Sequence, residues 1–169
     1  MSFFSDEFKA TWSLRLFGFL KIPMLFRAWP KVIEVNDRRC EVRIPLRRFT
    51  ANHERSMYLG ALTVGADIAG GLIAVYKIRK SGRKVRFLFK SMTSQYRKRA
   101  EGHVHFSCED GAAIDELCAL AMDSGQRHNM PVTIVARCPG KLGDEPVAVF
   151  EMEISIKDVT GDPNARGAL

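Results

Sequence analysis

Period-two alternation marks the middle and the end of the chain. Cys40, Val42, Ile44 and Leu46 alternate with Glu41, Arg43, Pro45 and Arg47. Ala148, Phe150, Met152, Ile154 and Ile156 alternate with Glu151, Glu153, Ser155 and Lys157. Such spacing lines the apolar side chains along one face, as in a half-buried strand. Val85, Phe87 and Phe89, then Val104, Phe106 and Cys108, then residues 132–137, repeat the pattern more briefly. Residues 32–35 complete a hairpin with the first strand through the polar turn Asn36-Asp37-Arg38-Arg39. Three segments read as helices instead. Residues 5–20 form an amphipathic one, stopped by Pro23 and Pro30. Residues 57–76 are nearly all apolar and predict a helix buried on every side. Residues 111–124 follow Glu109-Asp110, with Ile114, Leu117, Cys118 and Ala121 at helical spacing.

The order is helix, two strands, long buried helix, two strands, helix, two strands. A helix that is apolar all round must be enclosed, and one curved antiparallel sheet of about six strands does so. The expected class is α+β. Residues 1–30 make an N-terminal helical segment, 31–158 a single domain, and 159–169 a tail.

Composition narrows the function classes. A chain of 169 residues is one domain, large enough to fold without disulfides or structural metal. Cys40, Cys108, Cys118 and Cys138 form no CxxC pair, so they read as free thiols of a cytoplasmic protein. The net charge of +7 is uneven. Residues 68–100 hold no acid but ten basic residues, from Lys77 to Arg99, among them Arg83, Lys84 and Arg86. Such a stretch attracts phosphate groups. Only Phe87, Phe89 and Tyr96 interleave with it and no nucleic-acid motif is present, so no nucleic-acid partner is expected. Asp67 in the middle of residues 57–76 argues against a membrane span there. The Phe- and Trp-rich N-terminal helix leaves peripheral membrane contact open.

Asp67 is the most informative residue. It lies in the most buried helix, with no Lys or Arg within eight positions on either side. A carboxylate in that setting needs a partner or a function. The helix starts near Tyr58-Leu59-Gly60, and the first N–H groups of a helix are free to hold an oxyanion.

The segment Asn52 to Asp67, NHERSMYLGALTVGAD, resembles the active-site region of hotdog-fold acyl-CoA thioesterases of the phenylacetate-degradation type. Their pattern is an Asn, five residues, His-Gly-Gly, then a buried helix with Ala-Asp. Asn52 stands at the Asn, Tyr58-Leu59-Gly60 at His-Gly-Gly, and Ala66-Asp67 at Ala-Asp. Ala100-Glu101-Gly102 and the strand VAVFEMEISIK are also similar to hotdog strands. Tyr58 and Leu59 depart from the pattern, Gly71 stands where related enzymes have Thr, and the helix at 111–124 is an insertion. These departures are similar to a hotdog branch known as a domain of unknown function.

The resemblance implies a hotdog fold and a thioester hydrolase acting on acyl-CoA or a similar acyl thioester. Asp67 would be general base or nucleophile, and Asn52 would position water or the carbonyl. The amides of Leu59 and Gly60 would polarise the thioester oxygen. His53 and Tyr58 would contact the acyl group, and Arg83, Lys84 and Arg86 the coenzyme A phosphates. It also implies a homodimer or dimer of dimers with a cleft shared between copies. No cofactor and no metal are expected. His103 and His105 share a strand face, but no third ligand accompanies them. The alternative reading is a non-catalytic hotdog module that binds acyl chains or acyl thioesters.

Overall fold

The computed structural model describes residues 6–162 and residue 165; residues 1–5 and most of the tail beyond 162 lie outside it. The chain begins with α1 (Asp6–Lys21), which Pro23 separates from the short α2 (Pro23–Ala28). The hairpin β1 (Lys31–Val35) and β2 (Cys40–Ile44) leads into the central helix α3 (Leu59–Ser81). Then come β3 (Val85–Tyr96), β4 (Val104–Cys108), α4 (Gly111–Ser124), β5 (Arg127–Arg137), α5 (Pro139–Leu142) and β6 (Pro146–Asp158). The strands form one antiparallel six-stranded sheet in the order β1-β2-β4-β5-β6-β3.

The alternation in the sequence is the inner face of this sheet. Val42 sits opposite Phe106, Phe106 opposite Ala136 and Ala136 opposite Ala148. All four are fully buried. The helix α3 packs across β2, β4 and β5, and α4 closes the sheet beside β5, β6 and the second half of α3. Gly65 permits the close approach of α3: a Cβ there would lie 2.3 Å from the Phe106 ring. Gly82, at φ 67°, ends α3 with its N–H bonded to the Arg79 carbonyl. That left-handed conformation favours glycine.

Three features depart from the pattern read in the sequence. The strands β3 and β5 are longer than their alternation suggested, because pairing with β6 carries them on through the mostly polar residues 90–95 and 127–129. The short helices α2 and α5 start at Pro23 and Pro139, which suit a first helical turn as well as a break. The central helix is not enclosed all round. Val64, Asp67, Gly71, Leu72 and Val75 form a half-buried stripe along it, while Ala66, Ala69, Ile73 and Ile78 are fully buried. By length and composition α3 also suits a membrane crossing, but its place under the sheet accounts for the same apolar content.

The helix α1 covers the open side of edge strand β1. Thr11 Oγ1 accepts the Val32 N–H at 3.0 Å, and Arg15 Nε donates to the Pro30 carbonyl at 2.9 Å. Those backbone groups belong to a strand edge that would otherwise pair with another chain. The opposite edge, β3, pairs only with β6 among the described residues.

Candidate functional site

The cleft around Asp67 is built from three elements. Thr63, Val64 and Asp67 come from α3, and Phe89, Lys90, Ser91 and Met92 from β3. Ile22, Met24 and Leu25 come from the junction of α1 and α2, and Met152 from β6. Its volume is about 440 Å³, and its walls are mostly apolar. The Asp67 carboxylate has no hydrogen-bond or ion-pair partner among the described residues. Burial, with no opposing donor or cation, raises its pKa above the ordinary carboxylate value. Thr63, one turn earlier, shares the wall and returns its hydroxyl to the Leu59 carbonyl at 3.2 Å.

The strand β3 is irregular at this point. The pairing with β6 shifts between Phe89 and Ser91, so Lys90 is the bulged residue, directed into the cleft wall. Bulges re-aim side chains locally. Lys90 is held by Glu153 at 3.3 Å, not by Asp67.

The amides of Leu59 and Gly60 are the second part of the expected site. The loop before α3 holds them in place. Thr50 is buried, its hydroxyl bonds the Pro45 carbonyl at 2.6 Å, and its own carbonyl accepts the Tyr58 N–H at 2.8 Å. Tyr58 is an extended N-cap with no side-chain cap, and its carbonyl receives the Ala61 and Leu62 N–H groups. The Leu59 and Gly60 amides are left without an acceptor, as the start of a helix dictates. They are separated from Asp67 by about two turns, roughly 12 Å along the helix axis. One carbonyl cannot reach both within a single chain.

The other expected residues are distributed as follows. Asn52 is engaged in its own loop: its Oδ1 accepts the Glu54 and Ser56 N–H groups, each at 3.0 Å, and its Nδ2 donates to Ser56 Oγ at 3.0 Å. Arg55 takes a positive φ of 59° in that turn. His53 is solvent-exposed and lies 3.6 Å from Glu54. Tyr58 and Leu59 are exposed, and the Tyr58 ring lies over Gly60, 2.6 Å from where a Cβ would stand. Arg83, Lys84 and Arg86 lie past the far end of α3, away from the Asp67 cleft. Arg83 is paired with Asp158 at 2.9 Å, while Lys84 and Arg86 have no acid partner among the described residues. His103 Nδ1 accepts the Leu46 N–H at 3.0 Å and His105 contacts Glu41 at 2.7 Å, so each has a local partner.

Sequence reasoning missed Lys77. It is 3% exposed and its ammonium is held by Asp37 at 3.3 Å and by Asp115. Burial alone would lower its pKa, but hydrogen bonds to Asp115 and Asp37 outweigh that and raise it. The ion pairs tie α3 to α4 and to the β1–β2 turn. A lysine in an apolar helix four residues before its end was the available signal.

A family model described as a domain of unknown function, DUF4442, matches residues 11–157. No curated protein is significantly similar. Among solved structures, a protein of unknown function from Pseudomonas aeruginosa, described as a probable thioesterase, superposes with a TM-score of 0.72 at 21% identity. The match covers 88% of this chain and 95% of that one. A putative thioesterase from Shewanella oneidensis also reaches 0.72, at 12% identity, over 88% of this chain and 98% of its own. A variant of a second Pseudomonas aeruginosa thioesterase gives 0.65 at 11% identity, over 92% and 96%. What the chain shares with these proteins is the fold.

Proposed function

The chain belongs to the DUF4442 family and has the hotdog fold, and from that premise we propose that it hydrolyses acyl-CoA or a similar acyl thioester. The observation that carries this reading is the Asp67 carboxyl, half-buried, raised in pKa and without a partner among the described residues, in a largely apolar cleft of about 440 Å³. The thioesterase descriptions of the structural neighbours support the reaction class. Asp67 as general base takes a proton from water while the water oxygen attacks the thioester carbonyl. The C–S bond then breaks, the thiolate leaves and takes up the proton, and a carboxylic acid and a free thiol result. A carboxylate raised toward the working pH is a better base for this step.

The oxyanion donors come from a second copy. The Leu59 and Gly60 amides of one chain are too far from its own Asp67, so a two-fold dimer supplies them to the partner's cleft. The unpaired edge of β3, which also walls the cleft, is the natural seam for that contact. Asn52 keeps the loop in the shape that presents those amides. Lys84 and Arg86 have no acid partner among the described residues but lie away from this cleft, so they would meet a coenzyme A phosphate only from the cleft of a partner copy. The protein then works in the cytoplasm without a cofactor.

The test is release of free thiol from a panel of acyl-CoAs by the wild type and Asp67→Asn. Turnover in the variant should fall by roughly two to four orders of magnitude, with little change in acyl-CoA binding. Equal turnover by both proteins would remove Asp67 from the mechanism. One observation favours the non-catalytic acyl-binding reading: the Tyr58 ring lies over Gly60 beside the amides a thioester oxygen would need. Tight acyl-CoA binding with no thiol release by the wild type would select it.

A further inference from the structure

The helix α1 is not amphipathic about its axis. Thr11, Leu14 and Gly18 face the protein, yet the opposite face carries Trp12, Leu16, Phe19 and Leu20. With Met24 and Phe49, these form an apolar surface on which every side chain is at least 54% exposed. Monomeric soluble proteins rarely leave such a surface without an occupant.

Charge says what the occupant is. Six of the ten basic residues of the 68–100 stretch are paired with acids from distant segments, among them Lys80 with Asp37, Arg83 with Asp158, Lys98 with Glu145 and Arg99 with Glu54, while Arg79, Lys84, Arg86 and Arg97 have no acid partner among the described residues. Around the apolar surface the cations are unpaired as well. Lys21, Arg27, Arg47 and Arg48 have no acid partner among the described residues. Arg27 stacks on the exposed Phe49 at 5.0 Å. Burial, and then the nearby charges of Arg47 and Arg43, lower the pKa of Arg15, a sign of cations crowded together without acids. A second copy docked on this surface by a two-fold would set these cations against each other. Apolar side chains ringed by unpaired arginines complement the acyl boundary and headgroups of an anionic bilayer.

We propose that the α1–α2 segment docks the protein on an anionic lipid surface. Ile22, Met24 and Leu25 of the same segment wall the Asp67 cleft, so docking sets the cleft mouth beside the membrane. This extension rests on the hydrolase reading: the substrate class becomes thioesters of long acyl chains, which partition into membranes and reach Asp67 across this wall. The docking itself stands on the surface alone.

The experiment is flotation of the full chain with vesicles of phosphatidylcholine, or of equimolar phosphatidylglycerol and phosphatidylcholine. Wild type and the double variant Leu16→Glu/Phe19→Glu are compared; neither residue lines the cleft. Wild type should float with the anionic vesicles at least tenfold more than with phosphatidylcholine, and lose that preference at high salt. The Trp12 emission should shift to the blue as the side chain leaves water. The double variant should keep its melting temperature and its handling of short-chain acyl-CoA, lose vesicle binding, and lose any advantage on palmitoyl thioester presented in vesicles. Absence of wild-type binding at low salt would overturn the proposal. So would equal binding by the double variant, or a smaller particle size of that variant in light scattering, which would make the surface a contact between copies. Vesicle binding without any thioester cleavage would keep the docking and reject only the hydrolase reading.

Discussion

Burial holds the Asp67 carboxyl above its ordinary pKa, and that has consequences for both activity and stability. Only the ionised form accepts a proton from water, so hydrolysis should rise with pH through an apparent pKa above the usual carboxylate value. A pH–rate profile checks this, and a profile already flat from pH 4 upward would argue against Asp67 as the base. The effect on stability has the opposite sign. Between the unfolded value and the raised folded value, the folded chain holds a proton that the unfolded chain has released. Stability therefore falls as pH climbs through that window and stays reduced above it. Asn carries no such cost. Asp67→Asn should melt higher than wild type at neutral pH, with the gain shrinking as pH drops from the raised value to the ordinary carboxylate value and gone below it. Calorimetry at several pH values reads it directly, and an unchanged or lower melting temperature at neutral pH would mean that the carboxylate has a partner after all. A gain in stability with a loss of turnover is the usual signature of a strained functional group.

Two glycines of α3 separate the effects of contact and propensity at the level of the element. A Cβ at Gly65 would stand 2.3 Å from the fully buried Phe106 ring, whereas at Gly71 the nearest atom is an ordinary 3.7 Å away on Phe89. Gly65→Ala should destabilise by about 1–3 kcal/mol through overpacking. Gly71→Ala should stabilise by up to about 1 kcal/mol through helix propensity. Denaturant melts of the two variants should move in opposite directions, and parallel shifts would show that α3 does not sit on the sheet at Phe106. The joint of α3 and α4 at Lys77 behaves asymmetrically. Lys77 is buried, but the side chains of its partners Asp37 and Asp115 are 57% and 56% exposed. Lys77→Met leaves acids that water can solvate, so it should cost little. Asp37→Ala/Asp115→Ala strands a cation whose stem is buried and should cost clearly more. Equal losses in the two melts would contradict this account.

For the whole molecule, the two sheet edges differ. The edge at β1 is closed by Thr11 and Arg15, whereas β3 presents 12 residues with no second partner among the described residues. A long open edge beside a half-buried helix stripe is a site for self-association. The protein should therefore be at least dimeric at micromolar concentration by light scattering. Hydrogen exchange should find the amides along β3 protected on both sides of the strand. A strict monomer with fast-exchanging outer amides would leave the Asp67 cleft without its oxyanion donors. The same monomer would retire the composite site.

Much of this arrangement follows from local pattern. Alternation at 40–46 and 148–156 placed the inner face of the sheet because a pleated strand alternates sides whatever it packs against. The apolar run before Tyr76 marked the central helix, and the isolation of Asp67 in it showed that no cation of the same helix pairs with it. Even Lys90 was visible as a basic residue, though not as a bulge, since a register shift depends on the opposing strand. Tertiary structure alone settled the rest. Nothing local shows that Asp37, Asp158 and Glu145 return to neutralise the 68–100 cations, because ion pairs form across distances the sequence does not order. Part of the unpaired charge therefore lies beside α1, on arginines that looked unexceptional in the chain. Likewise, the spacing of Leu59 and Asp67 was plain in the sequence, but not which surfaces would be left open. The strand order leaves the outer edge of β3 open among the described residues and one stripe of α3 half-covered, and the sequence pattern orders neither.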